Sequence, residues 1–348
     1  MAYTPTCVHL VGSIGLDSDD DVFRTVGRTL GRRVARVPDG EQGPRRLWIS
    51  FQYPFLLANP FLRPDPGGAA RKNSGFRLLT LAEGVKPSEV RFGELGYARD
   101  ARASYLDFVA ARERGDLPKN VRFQVCLPTP MAVIRGFCTG EHIDAIEAAY
   151  EKAMLREVET ICRAIPHQDL CIQWDVCYEM IGYDGQPQDF FPPITVTPQQ
   201  MVAPLGRLSA AVPADVELGI HLCYGDFGAK HAIEPQDAGK LVAITNDIVA
   251  TIKHPLAYVH MPVPIARNDD AYFKPLAGLT LASVTQLYLG VVHAADGAEG
   301  TKKRIAAASK YVKEFGIATE CGMSRQRTPE LVEKLLEIHA EVAVPAPL

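Results

Sequence analysis

The 348-residue sequence predicts an α/β chain folded as one (β/α)8 TIM barrel. Eight short apolar runs alternate with helical patterns along the chain, the number an eight-stranded parallel barrel requires. Several of those runs are almost continuously apolar, as strands covered on both faces must be. The first run ends in Val11-Gly12-Ser13-Ile14-Gly15. That turn lacks the three-glycine fingerprint with which a doubly wound dinucleotide fold opens.

The strands are expected at 7–13, 33–38, 121–127, 169–175, 217–223, 256–261, 285–293 and 315–320. Helices are expected at 18–31, at 98–115 closing on Gly115, at 143–164, from Thr197-Pro198 onward, and at 235–252, 299–314 and 328–342. Thr197-Pro198 and Thr328-Pro329-Glu330 each combine a capping hydroxyl with a proline at the first helical position. No clear helical pattern separates the sixth and seventh strands. Two connections exceed ordinary loop length. Residues 42–97 read as an insertion after the second strand, forming a lid or hairpin. Residues 178–196 form an aromatic- and proline-rich loop that includes Phe190-Phe191-Pro192-Pro193. Both are expected to overhang the C-terminal mouth of a single domain spanning 1–348.

Hydrophobic residues make up 47% and charged residues 22%, which excludes a disordered or fibrous chain. With 37 basic against 41 acidic residues the net charge is −4. No strong field of either sign exists, so neither nucleic acid nor a membrane surface is an expected partner. No run approaches the ~18 apolar residues of a membrane span, and the N-terminus lacks the pattern of a signal peptide. The eight cysteines, at 7, 126, 138, 162, 171, 177, 223 and 321, are sparse for this length. A reducing cytoplasm is the expected location, with thiols free or on metal.

In such a barrel the chemistry sits where strands end. Those positions hold Ser13, Asp39, Glu41, Thr129, Asp175, His221, Cys223, His260, His293 and Cys321. Within His221-Leu222-Cys223 the ring and the thiol point to one side of a strand and can reach one ion. Imidazole with thiolate suits zinc. A His-x-Cys by itself is more often a buried thiol beside a core histidine. Cys321, before Gly322, and His260, before Met261-Pro262, bring the candidate ligands to four from three strand ends.

HLCYGDF at 221–227 and ATECGMSRQRTPE at 318–330 resemble the zinc-site segments of the cobalamin-independent methionine synthase family. That family belongs with the uroporphyrinogen decarboxylases in one superfamily. Val11-Gly12-Ser13-Ile14 resembles its Ile-Gly-Ser, Pro38-Asp39-Gly40-Glu41 its His-Gly-Glu, and Ile172-Gln173-Trp174-Asp175 its Ile-Gln-Ile-Asp. Leu289-Gly290-Val291-Val292-His293 resembles its Leu-Gly-Pro-Gly-Val-Tyr-Asp-Ile-His. The resemblance implies a zinc-dependent methyltransferase that binds a homocysteine-like thiol and presents it as a thiolate to a methyl donor. It implies that His221, Cys223 and Cys321 ligate the metal. Ser13, Glu41 and Asp175 would hold the amino and carboxylate groups of the thiol substrate, and His293, paired with Asp175, would deliver a proton to the leaving group.

Two departures follow from the same comparison. The family's remaining ligand is a Glu where this chain has His260, so a two-His, two-Cys site is expected, less negative by one charge. The folate-dependent enzymes carry two barrels, and this chain carries one. The donor is therefore open among folate, an ether, a sulfonium compound or a corrinoid supplied by another protein. Three alternatives remain: transfer or lyase chemistry on a coenzyme M-like thiol, a non-enzymatic zinc-binding protein, and a zinc-free decarboxylase of the uroporphyrinogen type, for which Arg45, Arg46 and Arg71 would hold carboxylates.

Overall fold

The computed structural model describes residues 3–68, 75–188, 193–226 and 230–345. Arg71, Phe190, Phe191, Pro192 and Phe227 lie outside them. Nine strands are assigned among the described residues: β1 (Arg36–Pro38), β2 (Leu62–Pro64), β3 (Leu79–Leu81), β4 (Arg122–Pro128), β5 (Leu170–Val176), β6 (Glu217–Leu222), β7 (Leu256–Pro262), β8 (Gln286–Val292) and β9 (Gly316–Thr319). Seven of them form one sheet in the order β1-β4-β5-β6-β7-β8-β9. Every pairing in it is parallel. Helices follow the strands, so the sheet is a curled parallel α/β layer compatible with a barrel.

The expected first strand is corrected. Residues 7–13 form no regular ladder; Val8 alone makes parallel bridges, to Val34 and to Ile317 in β9. Side chains explain the interruption. Gln124 Nε2 donates to the Leu10 carbonyl at 2.8 Å, and Gln173 Nε2 donates to the Val11 carbonyl at 2.5 Å. These carbonyls are satisfied by amides rather than by a neighbouring strand.

Helix expectations fare better where caps exist. Pro198–Ala210 is capped by the Thr197 hydroxyl on Gln200 N, and Pro329–Val342 by the Thr328 hydroxyl on Leu331 N. Tyr97–Arg114 ends at Gly115, whose φ of 83° is the left-handed conformation a helix terminus favours. The expected helix 299–314 runs instead over Gly297–Ala308, and 235–252 begins only at Gly239. Pro130–Phe137, Tyr178–Asp184 and the short Asp270–Phe273 were not expected. Tyr178–Asp184 occupies the start of the segment read as loop and is largely buried.

Residues 42–97 carry a 3-10 stretch (Gly43–Gln52), a short helix (Tyr53–Leu57) and the antiparallel pair β2–β3, with Leu62 opposite Leu81. Tyr53 stacks on Phe76 with ring centroids 4.4 Å apart, and both rings pack on Phe137.

The inward faces of the central sheet are polar in layers. Arg36 pairs with Glu217 at 2.5 Å near the start of the strands. Above it stand the buried rings of Tyr258 and Tyr288. Gly219 makes room for the first ring: a Cβ there would lie 2.0 Å from Tyr258 Cζ. Higher still, Asp175, His221 and His260 share one register row across β5, β6 and β7. No helix of the described residues is long and apolar enough to cross a membrane.

Candidate metal centre

His221 is the penultimate residue of β6, and Cys223 follows the strand directly. Cys223 N still donates to the Val176 carbonyl at 3.0 Å, which keeps the chain extended beyond the last assigned pair. Cys321 follows β9. The ligand atoms of His221, Cys223 and Cys321 all lie within 4.8 Å of one another, and all three residues are buried. The two sulfurs are 3.7 Å apart. Two thiolates each ~2.3 Å from one tetrahedral ion stand ~3.8 Å apart, whereas a disulfide closes to ~2.05 Å. The spacing excludes a disulfide and matches that of two ligands on one metal, a distance that an S–H···S contact also spans.

Donors converge on the sulfurs. Gly225 N–H points at Cys223 Sγ at 3.2 Å, and Arg325 Nη2 lies 3.8 Å from Cys321 Sγ. Both thiols titrate well above the ordinary range: Cys223 through its contact with Cys177, Cys321 through its contact with Cys223, and both through burial. Without a cation these sulfurs hold their protons; with one they can shed them. Donor type, spacing and burial all fit a zinc-type ion.

His260 stands behind His221. Its Nδ1 is 2.7 Å from His221 Nδ1, and its Nε2 donates to the Thr319 carbonyl at 3.1 Å. Burial pushes His260 down to about 3, and burial followed by the charge of His260 pushes His221 well down. Burial disfavours the charged form of both rings.

The other expected residues lie at neighbouring strand ends and in the loops that follow them. A Cβ on Gly322 would lie 2.1 Å from Ser13 Oγ, so that glycine lets Ser13 pack against the backbone that follows Cys321. Glu41 lines a cavity with Asp39, Arg45, Tyr97, Gln124 and Cys126. Burial pushes the Glu41 carboxyl up to about 7 against the opposing pull of Arg45. Asp175 accepts from Gln173 Nε2 at 2.8 Å and from the Trp48 side chain. Burial, then the neighbouring charge of Glu41, raises its pKa well above the carboxylate range.

The expected Asp175–His293 pair does not form among the described residues. His293 Nε2 donates to the Val263 carbonyl at 2.9 Å, and its Nδ1 faces Glu320 at 3.8 Å. Glu320 also lies 3.2 Å from His231 Nε2, so one half-buried carboxyl stands between two histidines. Burial pushes His293 down to about 3. Sequence reasoning missed Glu320, the residue immediately before Cys321. It also missed Arg325, whose Nε is buried with no hydrogen-bond partner.

Backbone strain gathers here. Among the described residues the non-glycine positions at positive φ are Glu41 (54°), Trp48 (54°) and Gln326 (53°). Glu41 lines the cavity, Trp48 touches Asp175, and Gln326 follows Arg325. Such conformations cost of order 1–3 kcal/mol each and persist where a site requires them.

The fold and the centre define an α/β protein with a curled parallel sheet and a buried His-Cys-Cys group at the ends of its strands. No protein-family model matches the chain, and no curated protein matches it. Among solved structures it is similar to a protein from Listeria monocytogenes given the provisional name vitamin-B12 independent methionine synthase. The match covers 98% of each chain at TM-score 0.57 and 14% identity, a likeness of fold. Weaker similarities carry no weight. They include a dihydrodipicolinate synthase family protein from Coccidioides immitis (TM-score 0.37, 10% identity, 91% of this chain and 67% of that one). Another is the fructose-bisphosphate aldolase of Campylobacter jejuni (TM-score 0.39, 10% identity, 90% and 70%).

Proposed function

We propose that the chain is a zinc-dependent methyltransferase of the methionine synthase type, folded as a barrel that the irregular segment 7–14 closes through the bridges of Val8 to Val34 and Ile317. The observation that carries this reading is the pair of buried sulfurs 3.7 Å apart beside His221. His221, Cys223 and Cys321 would hold the metal. What a bound zinc supplies is the conversion of a substrate thiol, free pKa ~8.5, into a thiolate at neutral pH.

The chain's own residues do the rest. Glu41 and Asp175, whose carboxyls are near enough for the charge of Glu41 to raise the pKa of Asp175, suit the ammonium group of an amino-acid thiol, whose charge relieves that repulsion. Ser13 and the unpartnered Nε–H of Arg325 suit its carboxylate. The thiolate sulfur takes the methyl group, and the donor keeps the bonding electrons and needs a proton when it is an amine or an alkoxide. Glu320, a carboxyl kept protonated longer by burial, stands against His293 Nδ1 and can pass that proton. Arg45 and Arg46 are engaged with Asp39 and Gln42, which leaves them poorly placed for the decarboxylase alternative. Zinc analysis of the purified chain tests the reading. One zinc per chain is expected, lost in Cys321→Ser with the fold retained by circular dichroism. A chain purified without zinc that also fails to take it up contradicts the proposal.

A further inference from the structure

We infer that His260 is a positioning residue: it fixes His221 in the tautomer whose Nε2 lone pair is left for the metal, and it is not itself a ligand. The inference rests on the reading that His221, Cys223 and Cys321 hold a metal, and it goes beyond that reading by assigning the fourth residue.

Hydrogen-bond accounting carries it. A carbonyl oxygen only accepts, so the 3.1 Å contact to Thr319 O requires the proton of His260 on Nε2. A neutral imidazole has one N–H, and His260 Nδ1 is then an acceptor. The nitrogen 2.7 Å away is His221 Nδ1. Two lone pairs at that distance would repel, and both rings are fully enclosed, at 0% and 2% exposure, with no room for water between them. His221 Nδ1 therefore carries the proton. Its Nε2 is the nitrogen free to meet the thiolates. These proton positions are assigned from the partners, as they must be for any unseen hydrogen.

The relay has a fixed anchor. Thr319 is the last residue of β9, two before Cys321, and its hydroxyl donates to the Cys321 carbonyl at 2.6 Å. The backbone that presents one ligand thus sets the tautomer of another, through His260 on β7. For His260 to ligate, it would have to abandon either His221 or the Thr319 carbonyl, leaving a buried polar group unpaired. Ligating histidines are commonly oriented by such a second partner, and its loss costs 10–100-fold in metal affinity.

The test is a two-bond hydrogen–nitrogen correlation spectrum of the full chain with nitrogen-15 histidine, first metal-free and then with zinc, joined to zinc affinities of two variants. Without metal, His221 is expected as the Nδ1–H tautomer and His260 as Nε2–H. On adding zinc, the nitrogen that shifts is His221 Nε2, and both His260 nitrogens stay. His260→Gln, which keeps an acceptor, should bind zinc within about tenfold of the wild type, and His260→Leu 10–100-fold more weakly. A zinc-induced shift at His260, an Nε2–H tautomer at His221, or undiminished zinc binding by His260→Leu would overturn the inference. The metal-free spectrum decides the tautomers even if the chain binds no zinc, an outcome that would instead defeat the proposed function.

Discussion

Glu41 is held at φ 54° with its carboxyl pushed up to about 7, burial outweighing the attraction of Arg45. A carboxyl whose folded pKa lies above its unfolded value binds its proton more tightly in the native state. Stability is then lost as pH rises from about 4.5 through about 7. Glu41→Gln removes that loss. At pH 8 the variant is expected to be more stable than the wild type by about 1–3 kcal/mol, given 1.36 kcal/mol per pKa unit. At pH 4 the two should match. Thermal melts at both pH values check this; a variant less stable at pH 8 would show that Glu41 holds the structure rather than a ligand. At this scale the sequence exposed the buried His-Cys-Cys group well, because His-x-Cys spacing and a strand-end thiol are local features. It exposed partners poorly. Glu320 beside His293, and Thr319 O beside His260, are set by contacts between strands that no local spacing records.

Asp169 ties two elements together just before β5. Arg112, in the last turn of Tyr97–Arg114, grips it through two hydrogen bonds of 2.7 Å, and Tyr105 of the same helix adds a third. The Arg112 hydrogen bonds hold the Asp169 carboxyl below the usual range. A depressed carboxylate contributes stability that is present above the unfolded value of ~3.9 and is lost as pH falls through the lower, folded value. Asp169→Asn should cost about 1–2 kcal/mol at pH 7, the scale of a partly exposed charge-assisted pair. The deficit should shrink below pH 4. Urea unfolding at pH 7 and pH 3 measures it, and an equal deficit at both would mean that the pair acts by packing alone. Elements with their own punctuation were legible: Thr197, Thr328 and Gly115 mark helix ends that the structure confirms. Residues 7–13 were misread as a strand because apolar alternation reports burial, and this segment is buried while its carbonyls bond to Gln124 and Gln173.

For the whole molecule, the parallel α/β layering followed from alternation and apolar strands, and it was legible before any contact was known. The polar interior was not: Arg36, Gln124, Gln173 and Tyr258 lie in runs that read as apolar strands with single polar interruptions. The fold brings Cys223 and Cys321, 98 residues apart in sequence, to one point and aims His221 at them. Arg325 Nη2 stands 3.8 Å from the Cys321 sulfur. A closed structural zinc would need four protein ligands. On the proposed reading, three protein ligands would leave a fourth position for a substrate.

Zinc-edge X-ray absorption of the purified chain, with and without added thiol, tests that position most directly. Two sulfurs and one imidazole are expected on the metal of the free protein. A third sulfur at ~2.3 Å should appear on adding homocysteine or another small thiol that the site accepts. A sulfur count that stays at two with homocysteine and with coenzyme M alike would contradict thiol activation.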